Sequence, residues 1–392
     1  MFKDRHSITL LFNANKVYDR QIIEGVGHYL QSTQVNWDLY LEEDFLTRLP
    51  SISQWRGNGI IADFDDPKIE AALTHIDVPV IGVGGSYQNS DDYPNVCYVA
   101  TDNQALVNQA YEHLKSKGIE NFAFYGLPED PNFRWAKERE NAFIQLCKRD
   151  GYAYSLYQGH LTRADTWQYT MNRLTDWLSS LANPVGIISV SDSRARHLFQ
   201  ACEQLEKLVP HQVAIVGIDD DEVTRHLCRT GLSSVKQGSF NMGIEAAKLL
   251  HRRLENPHLP PKRIMMPPIG IEERESSNFQ SLKDPNVMLA MHFIKQNVFR
   301  GIKVEQVVDF VGISRSNLEN RFKSSVGHSI HHELHTLKLE KAVNLLKNST
   351  MGANVIAETA GYPSVQYMYA VFKKHFGKTP VEFRAQSEET EA

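Results

Sequence analysis

The first 270 residues alternate between short, continuously apolar runs rich in β-branched residues and longer segments with amphipathic helical spacing. Strands that are apolar throughout are typical of parallel sheets buried on both faces. The predicted strands cover residues 8–12, 59–61, 78–83, 96–99, 122–125, 185–190, 213–218 and 264–266. The intervening segments, such as 105–117 and 194–208, are long enough for crossover helices. The pattern therefore predicts a doubly wound α/β architecture, and its length favours two similar lobes.

Acidic side chains stand directly after several of these predicted strands. They are Asp63, Asp102, Asp192 and the three aspartates at 219–221. Open α/β sheets bind ligands at the carboxyl ends of their strands. Repeated acids at that level therefore predict a polar ligand rich in hydroxyl groups, or a cation. The alternative for each single aspartate is a helix N-cap or a turn residue, which is common after a strand.

The sequence carries no motif that indicates catalysis or a nucleotide cofactor. The glycine-rich run at 82–85 lacks the spacing of a dinucleotide fingerprint, and no Gly-x-Ser-x-Gly elbow or Walker-type lysine is present. His331 and His335 have a zinc-like spacing of one helical turn, but no third ligand is evident. We therefore predict a protein that is not an enzyme and that uses no cofactor and no metal.

The cysteines and apolar runs indicate a cellular compartment. The four scattered cysteines form no CxxC pair, which suits a reducing cytosol. No stretch approaches the ~18 apolar residues of a membrane span, and the N-terminal residues lack the pattern of a signal peptide. The sequence therefore predicts a cytoplasmic protein without membrane contact.

Charge is unevenly distributed along the chain, although the net charge is only −5. Residues 285–386 carry 13 Lys and Arg against 7 Asp and Glu, whereas residues 1–284 carry 29 against 37. Residues 387–392 form a short acidic tail. This asymmetry indicates a polyanionic partner for the basic segment; chance variation in surface composition is the alternative.

Beyond a turn- and charge-rich stretch at 276–285, which we interpret as a linker, the pattern is helical throughout. A helix over 304–311, a turn at Gly312 and a helix over 317–324 have the form of a helix-turn-helix unit. Its residues recur fifty positions later: Ser314, Leu318, Phe322, Lys323 and Gly327 reappear as Ser364, Met368, Phe372, Lys373 and Gly377. Two such units on a basic segment predict a nucleic-acid partner.

Several ordered motifs within residues 1–275 resemble the effector domain of the lactose/galactose-repressor family. They are Asp102-Asn103, His113-Leu114, Lys117-Gly118, 139–143, Ser191-Asp192, 213–220 and 234–237. The resemblance implies a two-lobed fold similar to periplasmic sugar-binding proteins. In that family a DNA-binding headpiece precedes the first strand; here the first predicted strand starts too near the N-terminus to leave room for one.

This resemblance also implies a sugar-binding cleft between the lobes. The residues carried over by position are Asn13, Tyr18, Asp19, Arg139, Trp167, Asp192, Asp219 and Gln237. Arg139 is expected to donate two hydrogen bonds to neighbouring sugar hydroxyls and to pair with Asp219 across the ligand. Asp192, or Ser191 beside it, is expected to accept hydrogen bonds from the sugar. The ring of Trp167 is expected to stack on the C–H face of the sugar. The alternatives are a helix-surface ion pair for Arg139 and ordinary packing for Trp167.

Residues 286–386 resemble the AraC-type DNA-binding domain of the arabinose-regulator family, on the motifs 356–362, 372–374, 376–380 and 383–384. The resemblance implies two recognition helices in successive major grooves. The residues it places near DNA are Arg315, Ser316, Asn317, Asn320, Arg321, Lys323, Ser364, Val365, Gln366, Tyr367, Tyr369, Lys373 and Lys374. The lysines and Arg321 are expected on phosphates and most of the others on bases. Asn320 and Ala370 depart from the family, which often has basic residues there.

A sensor domain followed by an AraC-type domain resembles the xylose-operon regulators of enterobacteria. That resemblance implies D-xylose as the effector and activation of genes for D-xylose catabolism and uptake, whereas the residues alone indicate only a small neutral polyol or sugar. We therefore predict a sugar-responsive, DNA-binding transcription regulator that forms a homodimer, with RNA polymerase as a further candidate partner. The alternatives are a regulator of another pentose or hexose, or a DNA-tethered sugar-converting enzyme.

Overall fold

A computed structural model describes residues 5–41, 52, 55, 57–73, 76–87, 89–279 and 284–391. The chain divides into two compact units, residues 1–279 and 280–392. Part of the predicted linker, 280–283, and the first four residues lie outside the described ranges. None of the described helices is long and apolar enough to cross a membrane.

The first unit contains two six-stranded sheets, which form two lobes. Its strands are β1 His6–Leu11, β2 Trp37–Leu41, β3 Gly59–Asp63, β4 Val80–Gly85, β5 Cys97–Thr101, β6 Phe122–Gly126, β7 Tyr154–Gln158, β8 Val185–Ser189, β9 Val213–Ile218, β10 Ser233–Lys236, β11 Arg263–Met266 and β12 Gly270–Glu272. Lobe 1 has the order β11-β5-β4-β3-β1-β2 and is parallel throughout. Lobe 2 has the order β12-β10-β9-β8-β6-β7, in which only β12 is antiparallel.

Helices cover both faces of each sheet, as parallel strands require. In this unit they are α1 Val17–Ser32, α2 Pro67–Leu73, α3 Asn103–Ser116, α4 Arg134–Asp150, α5 Trp167–Ser180, α6 Asp192–Gln204, α7 Glu222–Leu227 and α8 Ser239–Glu255. α1 and α8 pack together on the sheet of lobe 1, and α3 and α4 pack together on that of lobe 2.

The chain crosses between the lobes at three places among the described residues. It leaves lobe 1 between β5 and α3, returns between β10 and α8, and leaves again between β11 and β12. These crossings bring the carboxyl ends of the strands in both sheets toward one interlobe space, the location that this fold class uses for ligands. The predicted α/β fold class with two lobes is confirmed.

The prediction omitted four strands: β2, β7, β10 and β12. Three of them are sheet edges, where one side of the strand meets solvent and the residues need not be continuously apolar. β7, for example, has no fully buried side chain. β10 is short and begins with two buried serines, whose hydroxyls donate hydrogen bonds to the Arg274 carbonyl and to Asp192.

The second unit is all helical in its described part. Its helices are α9 Pro285–Asn297, α10 Val304–Val311, α11 Arg315–Val326, α12 Ile330–Asn348, α13 Ala353–Thr359, α14 Val365–Phe376 and α15 Pro380–Glu391. α15 extends into the predicted acidic tail, whose side chains lie outside the description.

The predicted fifty-residue repeat is present in three dimensions. α14 begins and ends fifty residues after α11, and both helices end at a glycine with positive φ, Gly327 and Gly377. The paired residues Phe322 and Phe372 are fully buried at the centres of two separate cores. α12 contributes its first turns to one core and its last turns to the other. The unit therefore consists of two helix-turn-helix modules joined by one helix.

Candidate functional site

The carboxyl ends of the strands in both lobes open onto one cleft of about 400 Å³. Five of the predicted ligand residues line it: Tyr18, Asp19, Arg139, Asp219 and Gln237. Tyr18 and Asp19 come from the first turn of α1, Arg139 from α4, and the other two from the segments that follow β9 and β10. Residues up to 219 positions apart, Tyr18 and Gln237, are thus brought to one site by the crossover topology.

Three predicted ligand residues are not in the lining of the cleft. The side chain of Asn13 turns back to its own loop and accepts a hydrogen bond from the backbone N–H of Asn15, at 3.1 Å. Asp192 is buried behind the cleft and accepts hydrogen bonds from the Ser234 hydroxyl at 2.7 Å and the Asp221 backbone N–H at 2.8 Å. Its neighbour Ser191, the alternative to Asp192, does line the cleft.

Trp167, which was predicted to stack on the ligand, also lies outside the lining of the cleft. Its ring packs on the core of lobe 2 and lies edge-on to His197, with 5.2 Å between ring centroids. The aromatic side chains in the lining are Phe133 and Trp135 instead. Trp135 lies one helical turn before Arg139 on α4, so the i, i+4 rule applied to Arg139 would have found it.

Further polar residues of the lining escaped the prediction of ligand residues. They are Asn15, Lys16, Asp63, Asp65, Thr101, Asn103, Asn132, Ser193, Arg194 and Asp221. Most are the last residue of a strand or lie within the five residues that follow one. Three of the acidic or amide groups, Asp63, Asn103 and Asp221, belong to segments that the sequence had marked as strand ends or motifs. What the sequence did not reveal is which of these side chains turn toward the cleft.

Two residues of the lining each have a buried side-chain oxygen without a hydrogen-bond partner within the described protein: Oδ1 of Asp19 and Oε1 of Gln237. The other oxygen of Asp19 accepts from the Asn13 backbone N–H at 2.6 Å, and the amide nitrogen of Gln237 donates to Asp219. Buried polar atoms are almost always satisfied in native proteins. Gln237 Oε1 is an acceptor, and Asp19 Oδ1 is an acceptor when its carboxyl is ionised. The cleft is therefore suited to a ligand with hydroxyl groups, which can both donate and accept hydrogen bonds.

Arg139 is held rigidly at the inner wall of the cleft. Its Nε donates to Oδ1 of Asn103 at 2.8 Å, its Nη1 donates to the Val190 carbonyl at 2.6 Å, and its guanidinium stacks on Trp135 at 4.7 Å from the ring centroid. Within the described chain no ion pair joins it to Asp219, although this pair was expected. Burial lowers the pKa of Arg139 and the nearby Asp219 opposes that shift, so the two charges attract across a gap.

Carboxylates outnumber cations in this cleft. The lining contains Asp19, Asp63, Asp65, Asp219 and Asp221 but only Lys16, Arg139 and Arg194 as basic groups. Burial raises the pKa of Asp65 and of Asp219 to about 6, and it raises that of Asp19 well above its usual value. A site with surplus buried negative charge disfavours phosphorylated or carboxylated ligands. A small, neutral compound with several hydroxyl groups fits it.

The second unit presents a candidate nucleic-acid interface on α11 and α14. All the predicted DNA contacts except Val365 and Tyr369 are exposed. Those two are half-buried and pack against the core of the second module. Ser364 caps α14, because its hydroxyl accepts a hydrogen bond from the Tyr367 backbone N–H at 3.2 Å.

The two predicted arginines are engaged within the protein. Arg315 forms an exposed ion pair with Glu305 at 2.8 Å, and Arg321 pairs with Asp284 at 2.7 Å. Exposed pairs of this kind contribute only about 0–1 kcal/mol, so either arginine can exchange its carboxylate for a phosphate at low cost. His331 and His335 gain a neighbour that the sequence did not indicate, His375, but no group in the described residues has the geometry to hold a metal ion.

Sequence-family profiles match the chain in three consecutive parts. Residues 7–104 match the XylR N-terminal domain, residues 111–277 a periplasmic binding protein-like domain, and residues 307–386 a helix-turn-helix domain. The predicted combination of a repressor-type effector domain with an AraC-type domain is thereby confirmed.

Full-length relatives carry the same arrangement. The xylose operon regulatory protein of Escherichia coli K12 is 54% identical over 98% of both chains, and that of Haemophilus influenzae is 46% identical over 98% of this chain and 99% of its own. A solved structure described as a xylose-binding transcription activator is 53% identical, covers 98% of this chain and 99% of its own, and has a TM-score of 0.89. These relatives are transcription regulators.

Proposed function

The chain belongs to the family of xylose operon regulatory proteins, and we propose from this premise that it is a transcription activator that binds D-xylose between its two lobes. The pair of unsatisfied acceptors, Asp19 Oδ1 and Gln237 Oε1, carries the assignment of the cleft as the sugar site. A pentose has hydroxyl donors at short intervals around its rim, which is the complement that these atoms lack.

Three other features of the cleft support a neutral sugar. Arg139 has one terminal nitrogen beyond those bound to Asn103 and Val190, and a guanidinium can donate to two neighbouring hydroxyls. Trp135 offers an apolar ring face to the C–H side of a sugar. The Ser191 and Thr101 hydroxyls, also in the lining, can both donate and accept.

For the second unit we propose that residues 286–386 bind operator DNA through α11 and α14 in successive major grooves. Asn317, Asn320 and Gln366 are exposed on these helices and have the amide groups that read adenine. Ser316 and Tyr367 stand beside them as further polar contacts. Lys323, Lys373 and Lys374 are exposed toward the ends of the same helices and suit phosphates.

The regulatory step that we propose is a population shift. D-Xylose stabilises the closed arrangement of the lobes, and the closed form favours a homodimer whose DNA-binding domains occupy two adjacent half-sites. We further propose that this takes place in the cytoplasm and that the bound dimer contacts RNA polymerase.

The experiment that tests this function is operator binding with and without sugar. Fluorescence anisotropy with DNA from upstream of pentose-utilisation genes is expected to give tighter binding with D-xylose than with D-mannitol at the same concentration, by about tenfold, the usual scale of allosteric coupling. Equal affinities with and without every pentose and hexose tried would contradict the proposal.

Lysines on α14 are expected to act through phosphates. Replacing Lys373 or Lys374 by alanine is expected to weaken DNA binding equally for specific and unrelated sequences and to reduce the slope of log K against log salt by about 1 each. The measurement is fluorescence anisotropy at salt concentrations from about 50 to about 200 mM, a range over which such slopes are resolved. Lys68→Ala, an exposed lysine of lobe 1, is the matched control; an unchanged slope in the α14 variants would remove these lysines from the interface.

Sugar affinity is expected to fall with acidity. Because burial raises the pKa of Asp219 to about 6, this group is ionised at neutral pH and protonated at pH 5, where it no longer accepts a charge-assisted hydrogen bond. We expect the Kd for D-xylose to rise about tenfold between pH 7.5 and pH 5, by calorimetry, and to vary much less in Asp219→Asn.

The protonation of Asp219 does not itself destabilise the fold over this pH range. A carboxyl whose pKa is raised in the folded state binds its proton more tightly there than in the unfolded chain, so its contribution to the free energy of unfolding is larger below pH 4 and decreases as the pH rises to 6. Asp219 therefore favours the fold at the pH where sugar binding weakens. A Kd that stays constant across this pH range would show that Asp219 does not contact the sugar as an anion.

A further inference from the structure

The first turn of α4, in lobe 2, is embedded in the loop edge of lobe 1. The guanidinium of Arg134 donates to the carbonyl oxygen of Gly85 at 3.1 Å and to that of Ser86, both at the end of β4. Its other terminal nitrogen forms an ion pair with Oδ1 of Asp65 at 3.0 Å. One side chain of lobe 2 is thus bound by three groups of lobe 1.

Aromatic side chains of lobe 1 complete the seat of Arg134. The guanidinium carbon lies 3.7 Å from the centroid of the Tyr87 ring, and a terminal nitrogen lies 3.5 Å from the Tyr98 hydroxyl. Asp65 is itself held by the Gly85 backbone N–H, which is 3.0 Å from both of its oxygens. These surroundings suit a planar cation that donates hydrogen bonds in fixed directions and stacks on an aromatic ring. Arginine has these properties and lysine does not.

Glu138, one helical turn further along α4, makes a second connection. It accepts hydrogen bonds from the Ser86 hydroxyl of lobe 1 at 3.2 Å and from the amide of Asn103 at 2.7 Å. Asn103 begins α3 at the first interlobe crossing, and its amide oxygen accepts a hydrogen bond from Nε of Arg139. A Cβ at Gly85 would lie 3.2 Å from Glu138 Oε2 and 3.1 Å from Trp135 Cβ, so the lobes meet closely at this point.

Neither Arg134 nor Glu138 is in the lining of the cleft. Their contacts join lobe to lobe directly and do not pass through a bound ligand. We infer that Arg134 and Glu138 form an interlobe latch, which holds the lobes in the closed arrangement and thereby sets the affinity for the sugar. Both are positioning residues in this role. The part of the inference that concerns sugar affinity rests on the proposed function.

The effect of the latch on affinity follows from population arithmetic. A ligand that binds only the closed form has an apparent Kd equal to its intrinsic Kd divided by the closed fraction. Removing a partly buried ion pair with several charge-assisted hydrogen bonds favours the open form. Arg134→Met is therefore expected to raise the apparent Kd for D-xylose about tenfold, and Arg134→Lys, which keeps the charge but not the fork, is expected to lie between Arg134→Met and the native protein.

The matched control is Lys137→Met, on the same helix. Lys137 pairs with Glu140 within α4, at 2.7 Å, and makes no interlobe contact among the described ion pairs. Interlobe distances are measured in the full chain by spin labels on Lys68→Cys in α2 and Arg173→Cys in α5, both exposed. Cys228, which is half-buried while the other three native cysteines are buried, is replaced by serine, and labelled chains are diluted with unlabelled ones to suppress distances between copies.

The expected result has two parts. Without sugar, Arg134→Met shows a second interlobe distance that saturating D-xylose removes, and its Kd by calorimetry is raised; Lys137→Met matches the native protein in both. An interlobe distance distribution that is unchanged in Arg134→Met overturns the latch, whether or not the affinity falls. A lower affinity alone would mean that Arg134 acts only by holding Asp65 in place. If the native protein binds no D-xylose, the proposed function fails, while the distances without sugar still test the latch.

Discussion

Replacing Arg139 by methionine is expected to weaken D-xylose binding about 100-fold or more, corresponding to roughly 3 kcal/mol. The side chain is only 3% exposed, and its positive charge opposes the rise that burial causes in the pKa of Asp219. Its removal deletes the donors to the sugar and leaves a buried carboxylate without compensation. Isothermal titration calorimetry measures the loss.

The control is Arg149→Met at the far end of the same helix, where Arg149 forms ion pairs at the surface with Glu112 and Asp150. This variant is expected to bind D-xylose within about twofold of the native protein, as for exposed pairs. A Kd for Arg139→Met within fivefold of the native value would contradict the assignment and leave Arg139 with a role only in holding Asn103 and Val190.

Two glycines on α1 are expected to respond to alanine in opposite directions. α1 and α8 cross so closely that a Cβ at Gly25 would overlap the carbonyl oxygen of Phe240 and lie 3.1 Å from the Cα of Gly243. These are backbone atoms, which cannot rotate away, so the helices must separate. Gly25→Ala is therefore expected to lower the free energy of unfolding of the first unit by about 3 kcal/mol.

Gly27→Ala, two residues further on, is the matched control. A Cβ there meets nothing within 4 Å. Alanine is favoured over glycine inside a helix by about 1 kcal/mol, so this variant is expected to be slightly more stable than the native protein. Urea denaturation of both variants provides the comparison; equal effects of the two substitutions would mean that α1 and α8 do not cross at Gly25.

The central strands of both sheets were predictable because burial on two faces leaves a continuous apolar run, as in β8 and β9. Edge strands such as β2 and β7 carry no such run, and their pairing is set by neighbours distant in the sequence. The helices of the second unit were predictable to within a few residues, since glycine turns and i, i+4 apolar pairs are local signals.

The candidate site was predictable only in part. The family resemblance selected five residues that the structure places in the lining of the cleft: Tyr18, Asp19, Arg139, Asp219 and Gln237. Four of them begin a helix or follow a strand, whereas Arg139 lies in the second turn of α4. The structure places Trp135 in the lining and Trp167 outside it. The sequence did not reveal this, because the orientation of each helix toward the cleft is fixed by tertiary packing. The interlobe seat of Arg134 depends on a contact between segments nearly fifty residues apart, for which the sequence has no local signal.

Calorimetric titration of the native protein with D-xylose and, separately, with D-xylonate tests the central claim most directly. The two compounds are similar in size, but the second carries a carboxylate into a cleft with five carboxyl groups and three cations. The cleft described here predicts saturable 1:1 binding of D-xylose, lost in Arg139→Met, and no detectable binding of D-xylonate. Absence of heat with D-xylose, or tighter binding of D-xylonate, would contradict the assignment of the cleft as a neutral-sugar site.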